Sequence, residues 1–216
     1  MPGKSRRRAP SRLTRKIETR QPRKTLVIFC EGERTEPVYL EALKRRPEVK
    51  DVASVDLRIE AVHGMPETLV SSAIKAHDKS ADEEGEVDEF WCVFDVEWPR
   101  NHPRLREAVQ QAGSNGINLA ISNPCFELWL ILHFERHSSW LDNHGARRLR
   151  RQFDGAPDKN LDPSKYMPLV GKAMNNASAL AERHSRDGTG FPQDNPSSGM
   201  YLLITSTGAE WNSAGA

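Results

Sequence analysis

Two short apolar runs, each stopped by a cluster of acids, constrain this chain more than any other feature. Thr25-Leu26-Val27-Ile28-Phe29-Cys30 runs into Glu31-Gly32-Glu33-Arg34-Thr35-Glu36, and Phe90-Trp91-Cys92-Val93-Phe94 runs into Asp95-Val96-Glu97. Runs of this length, rich in β-branched and aromatic side chains and without polar alternation, read as fully buried strands. In an open α/β sheet, ligands bind where such strands end. If the two strands are parallel neighbours, Glu31, Glu33, Glu36, Asp95 and Glu97 gather at one rim. Carboxylates gathered in this way are hard oxygen ligands that suit Mg²⁺ or Mn²⁺.

The remaining periodicities supply the setting. Thr35 is placed to N-cap a helix with Glu36 and Pro37 in its first turn and Val38, Tyr39, Ala42 and Leu43 as its apolar stripe. Val55, Leu57, Ile59 and Ala61 alternate with polar residues, predicting a strand over 53–62. Pro66 opens a helix with Leu69, Val70, Ala73 and Ile74 inward, and the acidic stretch 82–86 reads as a solvated loop. A strand over 88–94, a helix near 103–112, an Asn115-Gly116 turn and a strand over 117–122 follow. Residues 24–122 thus read β-α-β-α-β-α-β, the alternation of a parallel α/β sheet.

Beyond 122 the pattern is helical. Residues 125–134 are apolar all round except for Glu127, a carboxylate that must be paired, at the rim or engaged in chemistry. Arg147, Arg148, Arg150 and Arg151 form a basic cluster in a helix. A further helix is predicted over 164–185, then a last apolar element at Met200–Ile204 and an unstructured tail over 205–216. His133 and His137 stand one helical turn apart, but no third metal ligand accompanies them.

Composition sets the limits. The 216 residues, 28% of them charged, suffice for one sizeable core, and no stretch approaches the ~20 apolar residues of a membrane span. The N-terminus lacks the apolar segment of a secretory signal, so the cytoplasm is the expected location. Cys30, Cys92 and Cys125 lie in apolar surroundings and read as small buried hydrophobes. The net charge of +1 hides an asymmetry: residues 1–24 carry ten Lys or Arg against Glu18 alone, leaving −8 on the other 192 residues. A basic arm over 1–23 with so little apolar content is expected to be disordered by itself, and it serves either to attract nucleic acid or simply as a solubilising tail.

The segment Cys30-Glu31-Gly32-Glu33-Arg34-Thr35-Glu36-Pro37-Val38-Tyr39, with Val93-Phe94-Asp95 and above all Ile121-Ser122-Asn123-Pro124-Cys125-Phe126-Glu127-Leu128-Trp129, resembles the RloB-like family. The likeness extends through Lys165-Tyr166 to Asn195-Pro196-Ser197-Ser198 and covers roughly 24–204. It implies a Toprim-like parallel sheet flanked by helices, with a C-terminal helical extension. It also implies a magnesium-dependent nuclease active on DNA or RNA, in a restriction–modification or anti-phage locus, beside an ATPase partner. Glu31 matches the first-strand glutamate of Toprim-like domains, and Asp95 and Glu97 match their acidic pair, with Glu97 in place of an aspartate. Glu36 resembles the second acid of the OLD-type form.

On this reading Asp95 and Glu97 are metal ligands, Glu31 is a ligand or the general base, and Glu33 or Glu36 completes a second site. Arg34 and Arg100 are placed to hold the phosphate, Asn123 to cap the following helix or bind anion, and Glu127 to act near the site. A non-catalytic sensor or regulatory subunit, and a phosphoryl- or nucleotidyl-transferring enzyme, use the same residues. The arm's electrostatic part is separable. A chain beginning at Lys24 is expected to bind nucleic acid more weakly and with a shallower salt dependence than the full chain; identical affinity and slope would show that the arm contacts no phosphate.

Overall fold

The computed structural model describes residues 24–59, 65–81, 87–156 and 160–211. The basic arm 1–23, the end of the second expected strand (60–62), the acidic stretch 82–86 and residues 212–216 lie outside the described residues. Four parallel strands, β1 (Lys24–Cys30), β2 (Ala53–Ile59), β3 (Glu89–Asp95) and β4 (Asn118–Asn123), lie in the order β2-β1-β3-β4. A two-residue strand, β5 (Ser197–Ser198), adds antiparallel to β4. Between the strands lie α1 (Thr35–Lys44), α2 (Pro47–Lys50), α3 (Pro66–Ala81) and α4 (Leu105–Ser114). After β4 come α5 (Phe126–Leu132), α6 (Asn143–Asp154), α7 (Val170–Asp187) and α8 (Met200–Ser206).

The unbroken apolar runs follow from coverage of both sheet faces. Leu26, Ile28 and Cys30 of β1 point to one side with Trp91 and Val93 of β3, into a core built with α1, α5, α7 and α8. Val27 and Phe29 point to the other with Phe90, Cys92 and Phe94, against α3 and α4. Gly199 lets the start of α8 approach β4, since a Cβ there would lie 3.1 Å from the backbone nitrogen of Ile121.

Several boundaries differ from expectation for local reasons. All seven residues of α5 are buried, and it stops at Leu132 because the next two N–H groups turn back to Leu130 and Ile131 in a tighter turn. The helix expected from 164 begins at Val170, preceded by two 3₁₀ turns that open with Pro163 and enclose Pro168, each proline lacking the N–H an α ladder needs. Arg34, not Thr35, occupies the N-cap of α1, and Thr35 is buried inside the helix. The expected tail is ordered as far as Trp211: Thr207 is buried, Ala209 and Trp211 pack on the core, and Arg46 lies 6.0 Å over the Trp211 ring.

Two buried polar groups are structural. His133 is enclosed by α1 and α5, its Nδ1 2.9 Å from the Trp129 carbonyl and its Nε2 3.0 Å from the Tyr39 hydroxyl. Burial drives its pKa down to about 3, so the neutral ring donates from Nδ1 and accepts from the tyrosine. Both nitrogens are spent, and the His133–His137 spacing makes no metal site.

Arg150 and Asp154, with side chains 1% exposed, pair at 2.6 Å inside the molecule, and the Tyr166 hydroxyl donates to the same carboxylate. Removing one member of such a pair strands a buried charge. Asp154→Ala is expected to lower unfolding free energy by about 3–5 kcal/mol, read from urea unfolding; a loss below about 1 kcal/mol would show that solvent already screens the pair.

Candidate functional site

From β1 the chain moves outward to β2, then crosses back over β1 to β3, so the strand order reverses between β1 and β3. A crevice opens at the carboxyl ends of the strands at such a reversal. Glu31 is the first residue after β1 and Asp95 the last of β3. The Glu31 N–H donates to the Val93 carbonyl at 3.0 Å, and the Asp95 N–H approaches Glu31 Oε2 at 3.3 Å. Beyond β3 the chain continues along the segment after β4, with Val96 N–H on the Ser122 carbonyl (2.9 Å) and Glu97 N–H on the Pro124 carbonyl (2.8 Å). This zipper brings the start of α5 to Asp95, whose carboxyl accepts the Phe126 N–H.

Glu36, in the first turn of α1, folds back over Gly32. A Cβ at position 32 would fall 1.9 Å from Glu36 Oε2, so only glycine admits this placement. Glu127 is 8% exposed and lies 3.6 Å from Arg147 Nε. Burial pushes the Asp95 pKa well above the usual carboxylate range, and the charges of Glu36, Glu31 and Glu127 push it further. The same surroundings, burial first, raise Cys30 to about 12 (with Glu36) and Cys125 well above its ordinary value (with Glu127 and Asp95). All three cysteines are buried thiols in no disulfide, packed as small apolar side chains.

The structure therefore brings Glu31, Glu36, Asp95 and Glu127 around one point. Glu97 lies on the side of His102, in a turn with a left-handed φ of 66°, and Glu33 is exposed. Arg34 and Arg100 are exposed beside the two acidic loops. Asn123 is not a helix cap. Its Oδ1 accepts from Trp98 Nε1 and its Nδ2 donates to the Pro192 carbonyl and Asp194 Oδ1, each at 2.9 Å, while Cys125 takes the N-cap of α5. With its amide spent on three bonds, Asn123 holds the Trp98 loop in place.

His102 is the residue that sequence reasoning passed over. Its Nε2 lies 2.8 Å from Glu31 Oε1, and the carboxylates of Glu31 and Glu97 raise its pKa above the ordinary imidazole value. Its N–H returns to the Val96 carbonyl at 3.2 Å, folding the loop back on the rim. The available signal was a histidine seven residues past Asp95, in a loop bounded by Pro99 and Pro103.

Four carboxylates supply the hard oxygen donors a divalent cation takes. Here His102 beside Glu31 and Arg147 beside Glu127 offset part of their charge, and the raised pKa of Asp95 favours its neutral form. Among the described residues no three His, Cys, Asp or Glu side chains already form a metal cage. The donor chemistry fits the ion, and the side chains must draw together to hold it.

Fold and rim define an α/β protein with an acidic rim at the switch point of a parallel sheet. The chain belongs to the RloB-like protein family, whose model matches residues 26–206. No curated protein and no solved structure matches it. No helix among the described residues is long and apolar enough to cross a membrane.

A carboxyl whose folded pKa lies above its unfolded value binds its proton more tightly in the native state. Stability is then lost as pH rises from about 4 through the folded value. Asp95→Asn removes that loss, so its Tm is expected to match wild type near pH 4 and exceed it at pH 7. A Tm difference independent of pH would refute the buried-acid account.

Proposed function

We propose that the protein is a metal-dependent nuclease that hydrolyses phosphodiester bonds at the rim formed by Glu31, Glu36, Asp95 and Glu127. The observation that carries this reading is the gathering of three carboxylates, Glu31, Glu36 and Glu127, around the half-buried Asp95 at the β1–β3 switch point. Carboxylates repel one another, and a cluster that raises its own member's pKa is costly unless a cation is its natural occupant.

Glu31, Glu36 and Asp95, with Glu97 from the adjoining turn, would hold Mg²⁺ or Mn²⁺. The bound ion would neutralise phosphate charge and lower the pKa of water at the site. Glu31 is held through both oxygens, by His102 and by the Asp95 N–H, which fixes its orientation for accepting a proton from attacking water. His102 stands beside Glu31 as its basic neighbour. Glu127 reaches the same point from α5, and Arg34 and Arg100 contact the substrate's phosphates. The arrangement of a first-strand glutamate with acids after a later strand is Toprim-like. The family resemblance further supports a place in anti-phage defence or restriction–modification, inside the cell, under the control of an ATPase partner.

A second reading, a non-catalytic sensor or regulatory subunit, is favoured by one observation. Glu31 and Glu127 already have basic neighbours in His102 and Arg147, so the rim is partly neutralised without an ion. Cleavage of DNA and RNA substrates with Mg²⁺, Mn²⁺ or EDTA separates the two. The nuclease is expected to cut only with metal, and Asp95→Ala to lose at least about 10²-fold of that activity. Cutting that survives Asp95→Ala, or absence of cutting even with the neighbouring ATPase present, would sink the nuclease.

A further inference from the structure

We infer that Trp140 and the exposed face of α6 form a binding track for single-stranded nucleic acid, leading into the carboxylate rim. This rests on the nuclease reading for its direction and goes beyond it in naming the form of the substrate.

Within α6, His144, Arg147, Arg148 and Arg151 are exposed and recur at i, i+3, i+4 and i+7, which places them on one face over about 10 Å. Asp154 and Arg150 are buried against each other, away from this exposed row. Three of the four are arginines, whose planar fork suits phosphate oxygens.

The stripe does not stand alone on the surface. Its first arginine, Arg147, reaches Glu127 at the rim. Asn143, at the start of α6, accepts the Trp98 N–H at 2.9 Å and donates to the Trp98 carbonyl at 3.4 Å, one residue past Glu97. α6 is thereby stitched to the acidic loop.

At the same junction stands Trp140, 58% exposed and the sole aromatic among the exposed large hydrophobics of the described residues. Its ring meets Trp98 edge-on, with centroids 6.2 Å apart. Trp98 is itself pinned by Asn123, so Trp140 has a fixed neighbour while its own surface stays open. An exposed indole beside a row of arginines is the combination that binds unpaired bases by stacking and their backbone by charge. A duplex keeps its bases stacked inside and offers Trp140 nothing to stack on. The strand's phosphates would follow α6 while an unpaired base rests on Trp140, presenting the backbone to Asp95 and its neighbours.

The test is fluorescence anisotropy of the full chain in EDTA, with a labelled 12-nucleotide single strand and the same sequence as duplex, across a salt series. Trp140→Ala is expected to weaken single-strand binding by about 5- to 100-fold with duplex affinity and salt slope unchanged, and Trp140→Phe to restore most of it. Replacing Arg147, Arg148 and Arg151 together by Gln is expected to reduce the single-strand salt slope by about 2. The same charge removed at Arg45, Arg106 and Arg186 should leave the slope unaltered. Equal effects of the two triple variants, or equal effects of Trp140→Ala on strand and duplex, would overturn the proposal. Wild type that binds and cuts nucleic acid while these variants match it would retire the track and leave the nuclease standing. A wild type that binds no nucleic acid would retire both. Should Trp140→Ala keep single-strand affinity but lose binding to a poly-glutamate peptide, the face belongs to an acidic protein and the inference is wrong.

Discussion

A parallel sheet covered on both faces has room for charge only at its two ends, and the rest of this molecule is arranged around that constraint. The ends are treated in opposite ways. At the amino ends of the strands, Lys24 reaches both Glu89 and the Ser206 carbonyl. Burial works against ionisation of Glu89, but hydrogen bonds from Lys24, Ser206 and Trp91 outweigh it and hold its pKa below the ordinary range. At the carboxyl ends burial acts on Asp95 in the same direction, and there the neighbours are further carboxylates, so the shift is upward. One end of the sheet is a closed electrostatic account that fastens α8 to β1 and β3. The other gathers carboxylates whose charge His102 and Arg147 offset only in part.

That imbalance is more than an accident of loop composition, because the backbone is shaped to maintain it. Gly32 is needed for Glu36 to lie where it does, and the left-handed turn at Glu97 is a conformation a residue with a side chain seldom adopts. Asn123, buried at the end of β4, spends its whole amide on fixing the loop that follows Glu97. Local rules broken at one place while the surrounding core obeys them are where a functional site is expected, in keeping with the proposed rim.

Much of this was legible in the sequence because the signals were local. Unbroken apolar runs identify β1 and β3, and acids directly after them must fall at the strand ends once the sheet is parallel. Glu31, Glu36 and Asp95 were therefore readable, and so was Glu127, as a charge inside an otherwise apolar helix. The remainder depended on distant contacts that leave no periodic trace. His102 reaches Glu31 across 71 positions through the fold-back of a proline-bounded loop. The role of Asn123 is set by Trp98, Pro192 and Asp194, none of them near it in the chain. The ordering of 205–211 comes from the packing of Thr207 and Trp211 on a core assembled elsewhere. The helix expected from 164 followed its apolar stripe alone, whereas Pro163 and Pro168 turn the chain through two 3₁₀ turns and delay its start to Val170.

The arginine cluster of α6 shows how a helix divides one sequence feature into two physical ones. Arg150 faces inward, where Asp154 and the Tyr166 hydroxyl enclose it, so its charge is consumed in tying α6 to the chain that precedes α7. Arg147, Arg148 and Arg151 are exposed on the outer face. The buried pair fixes the rotation of the helix, and that rotation decides which arginines line the exposed face and that Arg147 ends beside Glu127. A strongly acidic rim alone would repel a polyanion. On the proposed reading, a basic helix locked against its edge would hold such a strand close to the carboxylates. The internal ion pair, remote from any chemistry, thereby sets the geometry in which opposite charges adjoin at the site.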